Sequence, residues 1–174
     1  MRRPVRVGPT SQYFEISGAR SIVETLSSNQ ASGYAIARDQ KANGFRGWWV
    51  IALGSNDTAN VYVVSIVGLG ATIRGMMRVM GDQPLLWITV KSLLDTGAYS
   101  RATIQDWTRT VVDACAKYST LRVFDWPSLA EDSWYISDGT HYTSVGYRYR
   151  SRQSADALAH AFPVSGESSG CVVQ

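Results

Sequence analysis

Three short runs along the chain are largely apolar: GWWVIAL at 47–53, LLWITV at 85–90 and LRVFDW at 121–126. Continuous apolar character, rather than strict alternation, marks a strand covered on both faces, so each run is expected to be a buried strand. The segments between them carry helical spacing. ASGYAIARDQKANG closes on Gly44, a suitable C-terminal cap. A second helix is expected from about Asn60 to Met80, ending at Gly81. SRATIQDWTRTVVDACAKYS puts Ile104, Trp107, Val111, Val112 and Cys115 on one face. The last helix should run from about Thr143 to Phe162 and stop at Pro163, with Val145, Tyr149, Ala155, Leu158 and Phe162 as an imperfect apolar stripe.

Alternating strands and helices predict an α/β fold, a three-layer sandwich with a parallel central sheet and helices on both faces. No internal repeat or low-complexity segment interrupts it. In such sheets ligands gather in the crevice beyond the carboxyl ends of the strands. The loops that matter are therefore those after Leu53, Val90 and Trp126.

Two of these loops carry chemistry. The first holds Gly54, Asn56 and Asp57; the third leads to Asp138, Gly139 and His141. A carboxylate that accepts the Nδ1–H of an imidazole fixes its tautomer and leaves Nε2 as a base. Asp138 and His141, three apart across a glycine, suit that role. The plainer alternative is an Asx turn, with Asp138 as a local backbone acceptor. Asn56, held at a strand end, suits donation to a developing oxyanion. Its alternative is a turn in which Asp57 or Thr58 caps the next helix.

ALGSNDTAN, followed much later by WYISDGTHYTSVGY, resembles blocks III (G-x-N-D) and V (D-x-x-H) of the SGNH (GDSL-type) hydrolase superfamily. EISGARSIVE at 15–24 resembles block II, with Gly18 at the position whose backbone N–H donates to the oxyanion. The resemblance spans residues 13 to 163, and block V is its most specific part. It implies a flavodoxin-like fold, Asp138 and His141 as acid and base, and Asn56 and Gly18 as the oxyanion hole, with Gly54 and Asp57 supporting the loop. The implied reaction is ester hydrolysis or O-acyl transfer through an acyl-enzyme, on small acyl esters or O-acylated glycans.

The chain departs from the pattern in one respect: it contains no Gly-Asp-Ser. Ser11 follows a short apolar stretch, but Gly18 comes only seven positions later, too few for a helix between them. RRPVRV is read instead as an edge strand that follows a missing first strand and helix. On that reading, residues 1–174 form a single SGNH-like domain that is N-terminally incomplete, inactive as a serine hydrolase and weakly stable. A miscalled start, a fragment or a degenerate gene would each produce this. The other readings are a non-catalytic relative that binds a glycan or partner and, more remotely, a doubly wound nucleotide-binding domain.

Composition bounds these readings. At 174 residues, 45% hydrophobic and 18% charged, the chain is globular and the size of one domain. The formal charge is +3 with Lys and Arg scattered, so no basic stripe points to nucleic acid. The longest apolar run, 61–73, holds Ser65 and two glycines and is too short to span a membrane. MRRPVRVGPTSQ lacks the apolar block of a signal peptide. Two cysteines and two histidines, all dispersed, make neither a metal site nor a redox pair, and no cofactor is expected.

Cys115 and Cys171 are either separate buried thiols or a disulfide that ties down the tail 164–174. A disulfide would imply an extracellular or cell-envelope location. Among other motifs, GLGATI from Gly68 lacks the third glycine of a dinucleotide loop and falls within an expected helix. His160 reads as a helix-end cation, and RYRSRQ as a solvated face with Tyr147 and Tyr149 packed inward. Trp48, Trp49 and Trp87 read as core.

Overall fold

The computed structural model describes residues 13–23, 31–64, 68–167 and 169–174. Ser11 and the RRPVRV segment lie outside the described residues. The elements follow as α1 (Gly33–Ala42), β1 (Trp49–Ile51), α2 (Ser55–Val64), α3 (Leu69–Met80), β2 (Leu85–Ile88), α4 (Arg101–Cys115), β3 (Leu121–Phe124), α5 (Trp126–Leu129), a 3-10 turn (Asp132–Trp134), α6 (Ser144–Ala161) and β4 (Val172–Val173). Side-chain caps fix three helix starts, each satisfying a backbone N–H that the helix cannot. Ser32 accepts from Ala35 N at 3.2 Å, Ser100 from Thr103 N at 3.3 Å, and Thr143 from Gly146 N at 3.1 Å.

The four strands form one all-parallel sheet in the order β1-β2-β3-β4, with Trp49 opposite Leu85, Leu85 opposite Leu121, and Val123 opposite Val172. Side chains alternate across it, so each strand feeds two cores. Leu85, Trp87, Leu121 and Val123 pack with residues of α1, α3 and α4 on one face. Leu86, Ile88 and Phe124 pack with Trp126, Ala157 and Ala161 on the other. The α/β sandwich expected from the sequence is therefore present, and all three expected strands form within their runs.

Several expectations are corrected. The single helix over Asn60–Met80 is two helices: Gly68, in extended conformation (φ −62°, ψ 145°), starts α3 separately. GLGATI thus begins a helix, where it was expected within one. Ser55, Asn56 and Asp57 are the start of α2 rather than a loop, with Gly54 in the connection before it, and neither Asp57 nor Thr58 is its N-cap. The α6 stripe is met only in its last turns: Leu158 and Phe162 pack on the core, but the buried positions are Gly146, Ala157 and Ala161, and Val145, Tyr149 and Ala155 are exposed. Ala157 and Ala161 face the sheet, where small side chains let the helix approach closely, while Gly146 packs on the hairpin, where an added Cβ would lie 2.5 Å from Trp134 O. Tyr147 and Tyr149 accordingly lie outward, 51% and 43% exposed.

Trp48 is also outside the core, and Val50, on the same face, is 47% exposed. Among the described residues β1 is an edge strand, and α6 packs chiefly over β2, β3 and β4, so Trp48 keeps only a peripheral ring contact with Phe162, centroids 6.1 Å apart. The tail contributes β4, which no pattern announced. Cys115 and Cys171 form a disulfide that holds it beside β3. Among the described residues, no helix is long and apolar enough to cross a membrane.

Candidate active site

Asp138 and His141 sit on a tight hairpin that follows α5. Tyr135 bridges to Tyr142, Ile136 N–H donates to His141 O at 2.9 Å, and Thr143 N–H to Trp134 O at 2.8 Å. Gly139 turns the hairpin at φ 70°, and an added Cβ would lie 3.2 Å from Leu94 Cδ2. Both readings of Asp138 are realised at once, one by each oxygen. Oδ1 accepts the N–H groups of Thr140 (2.9 Å) and His141 (2.8 Å), which is the Asx turn. Oδ2 lies 2.7 Å from His141 Nδ1.

The backbone N–H of His141, then that of Thr140, then the imidazole hold the Asp138 carboxyl well below the usual carboxylate range. An ionised carboxylate has no proton to give, so the short contact requires Nδ1 to carry one. Nε2 is left as the unprotonated nitrogen of the neutral ring. The His141 side chain is 69% exposed, and among the described residues no group hydrogen-bonds Nε2.

Aromatic residues brace this hairpin from below. Trp126 Nε1–H donates to Tyr142 Oη at 2.9 Å. Trp134 stacks between Trp126 (centroids 5.7 Å apart) and Tyr149 (4.6 Å, interplanar 3°). Sequence reasoning gave these rings no part in the site. The available signal was the density of Trp and Tyr between 126 and 149.

The second cluster lies beyond β1. Asn56 is part-buried in the first turn of α2; its Nδ2 donates to Arg20 O at 3.1 Å, and its Oδ1 accepts from Tyr99 Oη at 3.3 Å. That bond places Asn56 against the exposed Gly18–Ala19 turn, where Ala19 has φ 55°. Gly18 and Asn56 are thus joined through Arg20, which follows Gly18 by two residues. One of the two Asn56 amide hydrogens is engaged there.

The β2–α4 connection reaches both clusters. Leu93 N–H donates to Gly139 O at 2.9 Å, while Ala98 O accepts from Thr58 and Tyr99 holds Asn56. Both clusters therefore sit beyond the carboxyl end of the sheet and share one supporting loop.

Asp57, in the first turn of α2, ties the segment around Ile22 to that helix by accepting Ile22 N–H at 2.8 Å. Its Oδ2 has no partner among the described residues. Burial pushes its carboxyl up to about 6 from 3.8, against the downward pull of the Ile22, Val23 and Asp57 N–H groups. A carboxyl raised on folding contributes stability that is complete below its unfolded value and lost as pH rises through the folded one. That shift corresponds to about 3 kcal/mol. Asp57→Asn is expected to abolish this loss. Urea denaturation at about pH 4 and about pH 7 should show the variant gaining on the wild type by up to about 3 kcal/mol at the higher pH, less the cost of an unpaired amide.

A scan against protein-family models and searches of curated proteins and of solved structures return no match to this chain.

Proposed function

We propose that this chain is an SGNH-type ester hydrolase or O-acyl transferase domain acting on acyl esters, with Asp138 and His141 as its acid–base pair. The observation that carries the reading is the 2.7 Å contact from His141 Nδ1 to a carboxylate oxygen of Asp138, with Nε2 turned toward solvent. In this mechanism Nε2 takes the proton of an attacking serine hydroxyl, and Asp138 stabilises the resulting imidazolium. The second amide hydrogen of Asn56 and the Gly18 N–H donate to the oxyanion. The acyl-enzyme is then released to water, or to a glycan hydroxyl in the transferase version. The sequence contains no Gly-Asp-Ser, and the proposal assigns the acid, the base and the oxyanion donors, not the nucleophile.

The test is turnover of p-nitrophenyl acetate by the protein and by its His141→Ala variant. His141→Ala is expected to lower the rate by about 10²–10⁴-fold, the range for a general base. Turnover that is indifferent to His141, or absent from both proteins, rules the hydrolase out and leaves the second reading. That reading is a catalytically silent relative that binds a glycan or a partner. It is favoured by the missing Gly-Asp-Ser and by the engagement of the Asn56 amide on Arg20 O.

A further inference from the structure

A cavity of about 320 Å³ opens beyond the carboxyl end of β2, between the β2–α4 loop, one side of α4 and Pro127. It lies on the α4 face of the sheet. That size falls at the lower end of small-molecule sites. Val90, Ile104 and Pro127 give it apolar walls, and Lys91, Arg101 and Arg109 bring cations to its lining. Among the described residues no carboxylate lines it. The partners of those cations, Asp132, Asp95 and Asp106, lie outside the lining. Thr108, also in the wall, has a buried Oγ1 with no hydrogen-bond partner among the described residues.

We propose that this cavity binds a small monocarboxylate with a short apolar chain, at a site that does not rest on the hydrolase reading and uses neither Asp138 nor His141. The apolar walls take the hydrocarbon, and the Thr108 hydroxyl supplies an orienting bond. Arg101 and Arg109 supply the charge. Their side chains are 54% and 69% exposed, and exposed ion pairs are weak, so both can turn to an entering anion. Lys91 is held more firmly, by Asp132 and by Ala130 O. Each cation already has a carboxylate partner, so the site suits one negative charge on an apolar body rather than a polyphosphate.

The experiment is a ¹H–¹⁵N NMR titration of the whole chain with hexanoate, hexan-1-ol and inorganic phosphate in parallel. Hexanoate is expected to give saturable shifts at the Val90, Ile104 and Thr108 amides. The Arg101→Gln/Arg109→Gln double variant, altered only at exposed side chains, should weaken that binding about tenfold or more. Gln105→Trp, at an exposed lining position, should block it. The spectra themselves report that each variant is folded. Hexanol or phosphate binding as tightly as hexanoate, no shifts with hexanoate, or an unchanged affinity in the double variant would each overturn the proposal.

Discussion

Gly54→Ala is expected to leave little folded protein. Gly54 adopts φ 146°, and a Cβ added there would stand 2.1 Å from Trp107 Nε1. Trp107 cannot yield, because it is fully buried and packed edge-on against Trp87 at 5.7 Å. Backbone strain and overpacking add to about 3–5 kcal/mol, a large share of the stability of a domain this size. The damage would also reach the site. Leu53 O accepts Trp87 Nε1–H at 3.0 Å and Gly54 O accepts Thr58 N–H at 3.0 Å, so the residue fixes the angle at which α2 and Asn56 leave β1. Denaturant titration checks it, and a variant as stable as wild type would refute the packing described for this turn.

Cys171→Ser is expected to cost about 4 kcal/mol. The disulfide closes 56 residues of sequence separation, and the loop-closure model gives that figure for the freedom it removes from the unfolded chain. In the folded state it keeps β4 on β3, where Val123 N–H reaches Cys171 O at 2.9 Å and Asp125 N–H reaches Val173 O at 3.2 Å. For a domain of this length the loss corresponds to a fall in Tm of roughly 10 °C. Calorimetry of wild type, variant and dithiothreitol-treated wild type checks it: the last two should melt together, well below the first. Coincident melting of all three would remove the disulfide from the account of stability.

The strands were legible because burial on both faces forces nearly unbroken apolar runs, and 85–88 and 121–124 formed where such runs occur. The Asp138–His141 pair was legible for a local reason: residues three apart across a glycine turn meet without help from the rest of the fold. Its alternative was legible too, and one carboxylate serves both. What the sequence did not disclose depends on distant contacts. The outward placement of Trp48 follows from the position of β1 at the sheet's edge, and the burial of Gly146, Ala157 and Ala161 from close contacts of α6 with the hairpin and the sheet. The β2–α4 loop joins the two candidate clusters through Leu93 and Tyr99, residues with no motif of their own. The aromatic brace under the hairpin was visible only as composition.

The claim on which the account depends is that Asp138 holds the neutral ring of His141 in the Nδ1–H form with Nε2 unprotonated. Long-range ¹H–¹⁵N correlation of the imidazole, recorded for wild type and Asp138→Asn, measures this directly. The account predicts an Nδ1–H tautomer in the wild type that is lost or mixed in the variant. A wild-type ring protonated at Nε2, or one that exchanges between forms as free imidazole does, would contradict it.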